Sequence, residues 1–174
     1  MKKLILSLTV GMFVLAGCGS KPKMTPVEYN DAIIGEQTKI SKVMLDMANY
    51  FGSDLTKSEA LRGDLVKQCE ASVKVLKDLP DYKGKTDFRD AGVALFTFYK
   101  EISEKEYKEM IDILAKPEIE LADIERLTVL EQEIGAREQP LDAAFQTAQQ
   151  AFAKEHNLSL YENEIQKDID QLGQ

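Results

Sequence analysis

The chain has 174 residues, 22 basic against 30 acidic side chains, two cysteines, one histidine and no tryptophan. So acidic a surface repels phosphate backbones and anionic headgroups, which argues against nucleic acid as a partner. No Cys-x-x-Cys-His occurs, which excludes c-type haem attachment, and a single histidine with no Glu-x-x-His excludes di-iron bundles built on two such pairs.

Lys2 and Lys3 open the chain and are followed by an apolar run from Leu4 to Ala16. A positive end, a short apolar core and small residues at its close describe an export signal, predicted over residues 1–17. The run falls short of the roughly 20 residues of a spanning helix. It ends in Leu15-Ala16-Gly17-Cys18, which resembles the bacterial lipobox. The resemblance implies diacylglycerol on the Cys18 sulfur, cleavage between Gly17 and Cys18, and acylation of the new amino group, typically by palmitate. The alternative is an ordinary signal peptide with Cys18 left as a thiol. Cleavage leaves 174 − 17 = 157 residues with 20 basic and 30 acidic groups, a net charge of −10. Each buried methylene contributes about 0.8 kcal/mol, so two or three acyl chains hold a protein at a bilayer that its own charge would repel. Gly19 rather than aspartate follows Cys18, which in a Gram-negative cell favours the outer over the inner membrane. With Cys18 lipidated, Cys69 has no partner for a disulfide and is expected to be a small buried residue.

Residues 18–24 form the lipidated end and a polar tether, Gly19 to Met24, reaching about 20 Å when extended. Residues 25–174 are predicted to form one all-α domain. Thr25, Pro26 and Glu28 make a capping box with proline at the first helical position. Tyr29, Ile33, Ile40, Met44, Met47 and Phe51 then follow at helical spacing, with Gln37 on the same stripe, and Gly52-Ser53-Asp54 ends the helix. A second helix is predicted from a capping box at Thr56 to Glu59, with its stripe from Leu61 through Cys69 to Leu79. A third is predicted from Asp87 to Ala115, carrying Phe88, Leu95, Tyr99, Ile102, Met110 and Leu114, widened by Phe96 and Phe98. The fourth and longest runs from Pro117 to about His156, with apolar residues from Leu121 and Ile124 to Phe145 and Phe152. Its stripe keeps phase across Pro140, which predicts a kink rather than a split. Asn157-Leu158 ends it, and Leu158, Tyr161, Ile165 and Leu172 suggest a short C-terminal helix. No segment alternates with period two. The expected architecture is an antiparallel four-helix bundle with a long kinked fourth helix.

No catalytic, cofactor or metal constellation is expected. Glu118, Glu120, Asp123 and Glu125 form an acidic start to the fourth helix, where carboxylates offset the helix dipole more often than they hold calcium. His156 stands at a helix end, where the same argument applies. Gln37 and the glutamines 146, 149 and 150 suggest a polar contact between the first and fourth helices. Tyr29-Asn30-Asp31 through Gln37, and Leu141-Asp142-Ala143-Ala144-Phe145 through Ala151-Phe152-Ala153-Lys154, resemble uncharacterised all-helical surface lipoproteins of spirochaetes and Bacteroidetes. That likeness implies a membrane-anchored bundle and carries no catalytic residues. The expected function is non-enzymatic binding of a partner, such as a protein of the envelope or cell surface. The alternative is a small-molecule carrier or sensor with a cavity lined by Phe88, Leu95, Phe96, Phe98, Phe145 and Phe152.

Overall fold

A computed structural model of the chain describes residues 24–160. The export signal, the lipobox Leu15–Cys18 and all of the expected C-terminal helix beyond Leu160 lie outside the described residues. Within them the chain is all-helical: α1 (Pro26–Tyr50), α2 (Leu55–Asp78), α3 (Asp87–Glu104), α4 (Glu106–Leu114) and α5 (Leu121–His156). Consecutive helices pack on one another, α1 on α2 and α2 on α3, and α5 lies mainly along α3.

The first helix starts where the sequence places it. Thr25 Oγ1 accepts from the Glu28 N–H at 3.2 Å, and Glu28 Oε2 accepts from the Thr25 N–H at 2.7 Å. Met24, read from sequence as tether, is partly buried against the core, so the tether ends one residue earlier. The second helix begins before the expected Thr56 box. Asp54 is its N-cap, and Asp54 Oδ1 accepts from the Lys57 N–H at 2.9 Å. Aspartate is among the strongest N-caps, and the turn after Tyr50 already delivers it into position.

The expected third helix is two. At Lys105 the backbone leaves helical geometry (φ −117°, ψ −76°), although no proline or glycine stands there. Arg62 of α2 secures the break: its Nη1 donates to the Ser103 carbonyl at 2.9 Å, while Glu59 holds the same guanidinium. Past the break the phase changes, so Met110, Ile111 and Ile113 are buried and Leu114 only partly so.

The last helix starts at Leu121 rather than Pro117. Asp123 Oδ2 accepts from the Glu120 N–H at 3.2 Å, and Asp123 also holds Lys116 at 2.6 Å. The acidic start is therefore a capped, ion-paired helix end. Leu121 and Ile124 were placed on the buried stripe but are 72% and 53% exposed. The stripe becomes effective only from Leu127 and Leu130 onward. Helix α5 continues through Pro140 without a break. Proline has no N–H, so the Ala136 carbonyl loses its helical partner. Because Pro140 is exposed and the helix is otherwise regular, Pro140→Ala is expected to stabilise the fold by about 1–3 kcal/mol. A urea midpoint at or below that of the wild type would contradict this. Asn157 closes the helix in the left-handed region (φ 53°), and the Leu158 N–H reaches back to the Ala153 carbonyl, as a Schellman ending requires.

The core forms two clusters. The larger joins Ile33, Ile40, Leu65, Cys69, Leu76, Leu95, Phe96 and Phe145; the smaller gathers Phe98, Ile102, Met110 and Leu130 beside α4. Gly92 stands where α1, α2, α3 and α5 come closest. A Cβ there would lie 2.7 Å from Leu76 Cδ2, 3.2 Å from Phe145 Cε2 and 3.5 Å from Ile33 Cγ2. One charged group enters this interior. Glu36 is 6% exposed; it takes a bond from Ser72 Oγ at 2.8 Å and from Lys39 Nζ at 2.5 Å, and Gln68 donates to Ser72.

Candidate ligand-binding groove

The end of the molecule that holds the start of α1 also holds the end of α2, the start of α3 and the end of α5. After α2, Arg89 gathers the chain: its Nη1 donates to the Leu79 carbonyl at 3.0 Å and to Asp81 at 2.8 Å. The chain then reverses in a two-residue turn. Lys83 (φ 52°) and Gly84 (φ 81°) both adopt left-handed backbone, and Tyr82 and Lys85 exchange hydrogen bonds of 2.9 and 3.0 Å. Positive φ at both central positions is the primed turn that glycine favours.

This turn places the Tyr82 ring among three others. Its centroid lies 4.9 Å from Tyr29, 5.1 Å from Phe152 and 5.0 Å from His156. Phe88 of α3 follows at 5.7 Å from Phe152. Beside the rings, the stretch of α5 before Phe152 lines the wall with small side chains, Ala143, Ala144, Thr147, Ala148 and Ala151, next to a groove of about 570 Å³. That size is within the range of small-molecule sites, which also share a mostly apolar lining with a few polar groups. Lys85 and Glu155 pair across the mouth at 2.7 Å. Thr86 caps α3 by position but makes no side-chain cap bond to it, and Asp87 stands beside it on the rim.

Tyr29 is the most unusual member of the wall. Its side chain is 1% exposed and its hydroxyl has no hydrogen-bond partner. A buried, unsatisfied hydroxyl costs about 1–3 kcal/mol. Burial raises the phenol pKa above its ordinary value, against the pull of Arg89, so at neutral pH the group is a hydrogen-bond donor without an acceptor.

No protein-family model, curated protein or solved structure matches the chain.

The structure distributes the residues singled out from sequence. Of the six suggested as a cavity lining, Phe88 and Phe152 border the groove; Leu95, Phe96 and Phe145 are packed in the larger core cluster and Phe98 in the smaller. Gln37 is only partly buried, and the polar contact between α1 and α5 is made instead by Gln149 and Asn30 at 3.2 Å. Gln146 bonds within its own helix to Asp142. Tyr99 donates to Glu138 at 2.9 Å. Cys69 is free and fully buried, as expected, and burial pushes its thiol up to about 12. His156 stacks edge-on against Phe152 at 4.6 Å. Among the described residues no three His, Cys, Asp or Glu stand together as metal ligands, and no helix is long and apolar enough to cross a membrane. Sequence reasoning missed the groove because its makers, Tyr82 and the alanines of α5, read separately as a loop residue and as helix formers.

Proposed function

We propose that this chain is a bacterial lipoprotein, anchored through acyl chains on Cys18, whose bundle binds a partner in the cell envelope or at the cell surface. The observation that carries the reading is Leu15-Ala16-Gly17-Cys18 directly behind a positively charged, apolar leader. The packing of Met24 on the core adds support: five residues, Gly19 to Lys23, separate Cys18 from the folded domain and reach about 17 Å. A domain so tethered works within a few nanometres of the bilayer. In a cell with two membranes, Gly19 favours the outer one. The fold itself is read here as an antiparallel four-helix arrangement of α1, α2, α3 and α5, with α4 extending α3. Its support is the contact between successive helices and the short connections at Phe51–Asp54 and Leu79–Thr86.

Replacing Cys18 tests the anchor. Cys18→Ser is expected to abolish incorporation of an azide-bearing palmitate analogue and to stop cleavage after Gly17, read by mass spectrometry of the purified chain. A wild-type chain that takes up no label would end the lipoprotein reading.

The aromatic groove favours a second reading, a carrier or sensor of a small amphiphile. Its site lies at the end of the bundle rather than in a cavity within it.

A further inference from the structure

We infer that the groove between the Tyr82 turn and α5 binds one long-chain fatty acid, its chain along the aromatic wall and its carboxylate at the start of α3. The choice of a membrane-derived occupant rests on the anchoring proposed above.

Three features point to this ligand. The first is shape and chemistry. The wall of Tyr29, Tyr82, Phe88 and Phe152 is apolar and continuous, and the facing surface of α5 is kept open by alanines. Such a surface takes a flexible hydrocarbon better than a polar solute. The second is the set of unused donors. The first N–H groups of α3, an 18-residue helix, receive no side-chain cap and lie at the rim with Lys85, which pairs with the exposed Glu155. A helix start of this kind favours an anion. Asp87 and Asp90 in the same first turn and Glu155 at the mouth oppose an anion, so a singly charged carboxylate fits the rim better than a phosphate dianion. The Tyr29 hydroxyl is a third donor, buried in the same wall and without an acceptor. To reach it a ligand has to displace the Tyr82 ring, whose centroid lies 4.9 Å from that of Tyr29. The third feature is place. Tyr29 is in the first turn of α1, five residues beyond Met24, so the groove opens at the end of the domain from which the tether leaves. On the anchoring proposed above, the groove would stand on the side of the domain nearest the lipid surface.

The test uses the full-length chain, delipidated and reconstituted in phosphatidylcholine vesicles, titrated with oleate labelled with carbon-13 at the carboxyl group. Protein-bound oleate is expected to give a carboxyl resonance distinct from that in protein-free vesicles, saturating near one equivalent per chain. Ala144 and Ala151 are exposed positions of the groove. Ala144→Trp with Ala151→Trp should fill it and remove the resonance while helical circular dichroism and the thermal midpoint persist. Tyr29→Phe should weaken binding about fivefold, the worth of one hydrogen bond, without lowering the midpoint of the empty protein, since it deletes an unpartnered group. No saturable resonance, or one undiminished in the filled groove, overturns the proposal; so does a Tyr29→Phe midpoint well below wild type, which would show that the hydroxyl is already satisfied. Mass spectrometry of the same preparation reports the Cys18 lipid separately. A chain without it that still binds oleate keeps the groove and loses the anchor.

Discussion

Gly92→Leu is expected to destabilise the fold by more than about 3 kcal/mol, a large share of the roughly 5–15 kcal/mol that holds a domain of this size together. The reason is the crowding at Gly92. Even a methyl group there sits 2.7 Å from Leu76 Cδ2, inside van der Waals contact, and 3.2 Å from the Phe145 ring. A methyl could be met by a shift of the leucine end, but Leu76 is wholly buried and Phe145 is 1% exposed, so the three further carbons of a leucine press on core side chains rather than on solvent. Gly92→Ala separates two opposing effects. Alanine gains about 1 kcal/mol of helix propensity over glycine, and overpacking costs about 1–3 kcal/mol, leaving a net loss of up to about 2 kcal/mol. Combining Gly92→Ala with Leu76→Ala should cost less than the two single changes together by about 1 kcal/mol, because the new methyl fills part of the space that the leucine vacates. Urea midpoints at constant slope measure all four corners of the cycle, and strict additivity would show that the clash is not with Leu76.

The second large effect appears in base. Burial holds the Cys69 thiol neutral up to about pH 12, whereas in the unfolded chain it ionises near 9. Between these values the unfolded state binds fewer protons than the folded one, so stability falls as pH rises. Three pH units correspond to about 4 kcal/mol. Tyr107 is likewise raised to about 12 by burial, and Tyr99 is raised further by burial with Glu138 beside it, so both steepen the decline above pH 10. Urea midpoints taken at pH 8, 10 and 11 should fall progressively. Cys69→Ala should start slightly lower, having lost a buried sulfur, and then fall less steeply. Parallel curves for the two proteins would show that the thiol does not contribute. The same burial predicts that iodoacetamide leaves Cys69 untouched at pH 8 until the chain unfolds.

The sequence showed the helices more clearly than their ends or their fit. Where a cap is local chemistry, as at Thr25 and Glu28, it could be read directly. Where two candidate caps stood close together, the one set by the preceding turn prevailed, and Asp54 displaced Thr56. The break at Lys105 carries no proline or glycine. Its trace in the apolar pattern is the gap of eight positions between Ile102 and Met110, and the bond that Arg62 makes to the Ser103 carbonyl is a long-range contact that periodicity does not register. Leu121 and Ile124 follow the apolar spacing yet remain exposed, and spacing alone does not say where along a helix its neighbours begin to cover it. The groove was the least legible feature. It depends on a turn that inserts Tyr82 between residues 53 positions upstream and 70 downstream, and on what the alanines of α5 leave unfilled.

The carboxylate of Glu36 gives the α1–α2 hairpin a single permitted alignment. Greasy stripes on two helices can slide by one turn, about 5.4 Å, and still bury similar surface. Here such a slip would carry Glu36 away from Ser72 and leave one buried carboxylate oxygen without its donor, while Lys39 of the same helix travels with the other. The pair therefore works as a register mark between the two helices: the Glu36–Ser72 bond is satisfied in the native alignment and lost in one displaced by a turn.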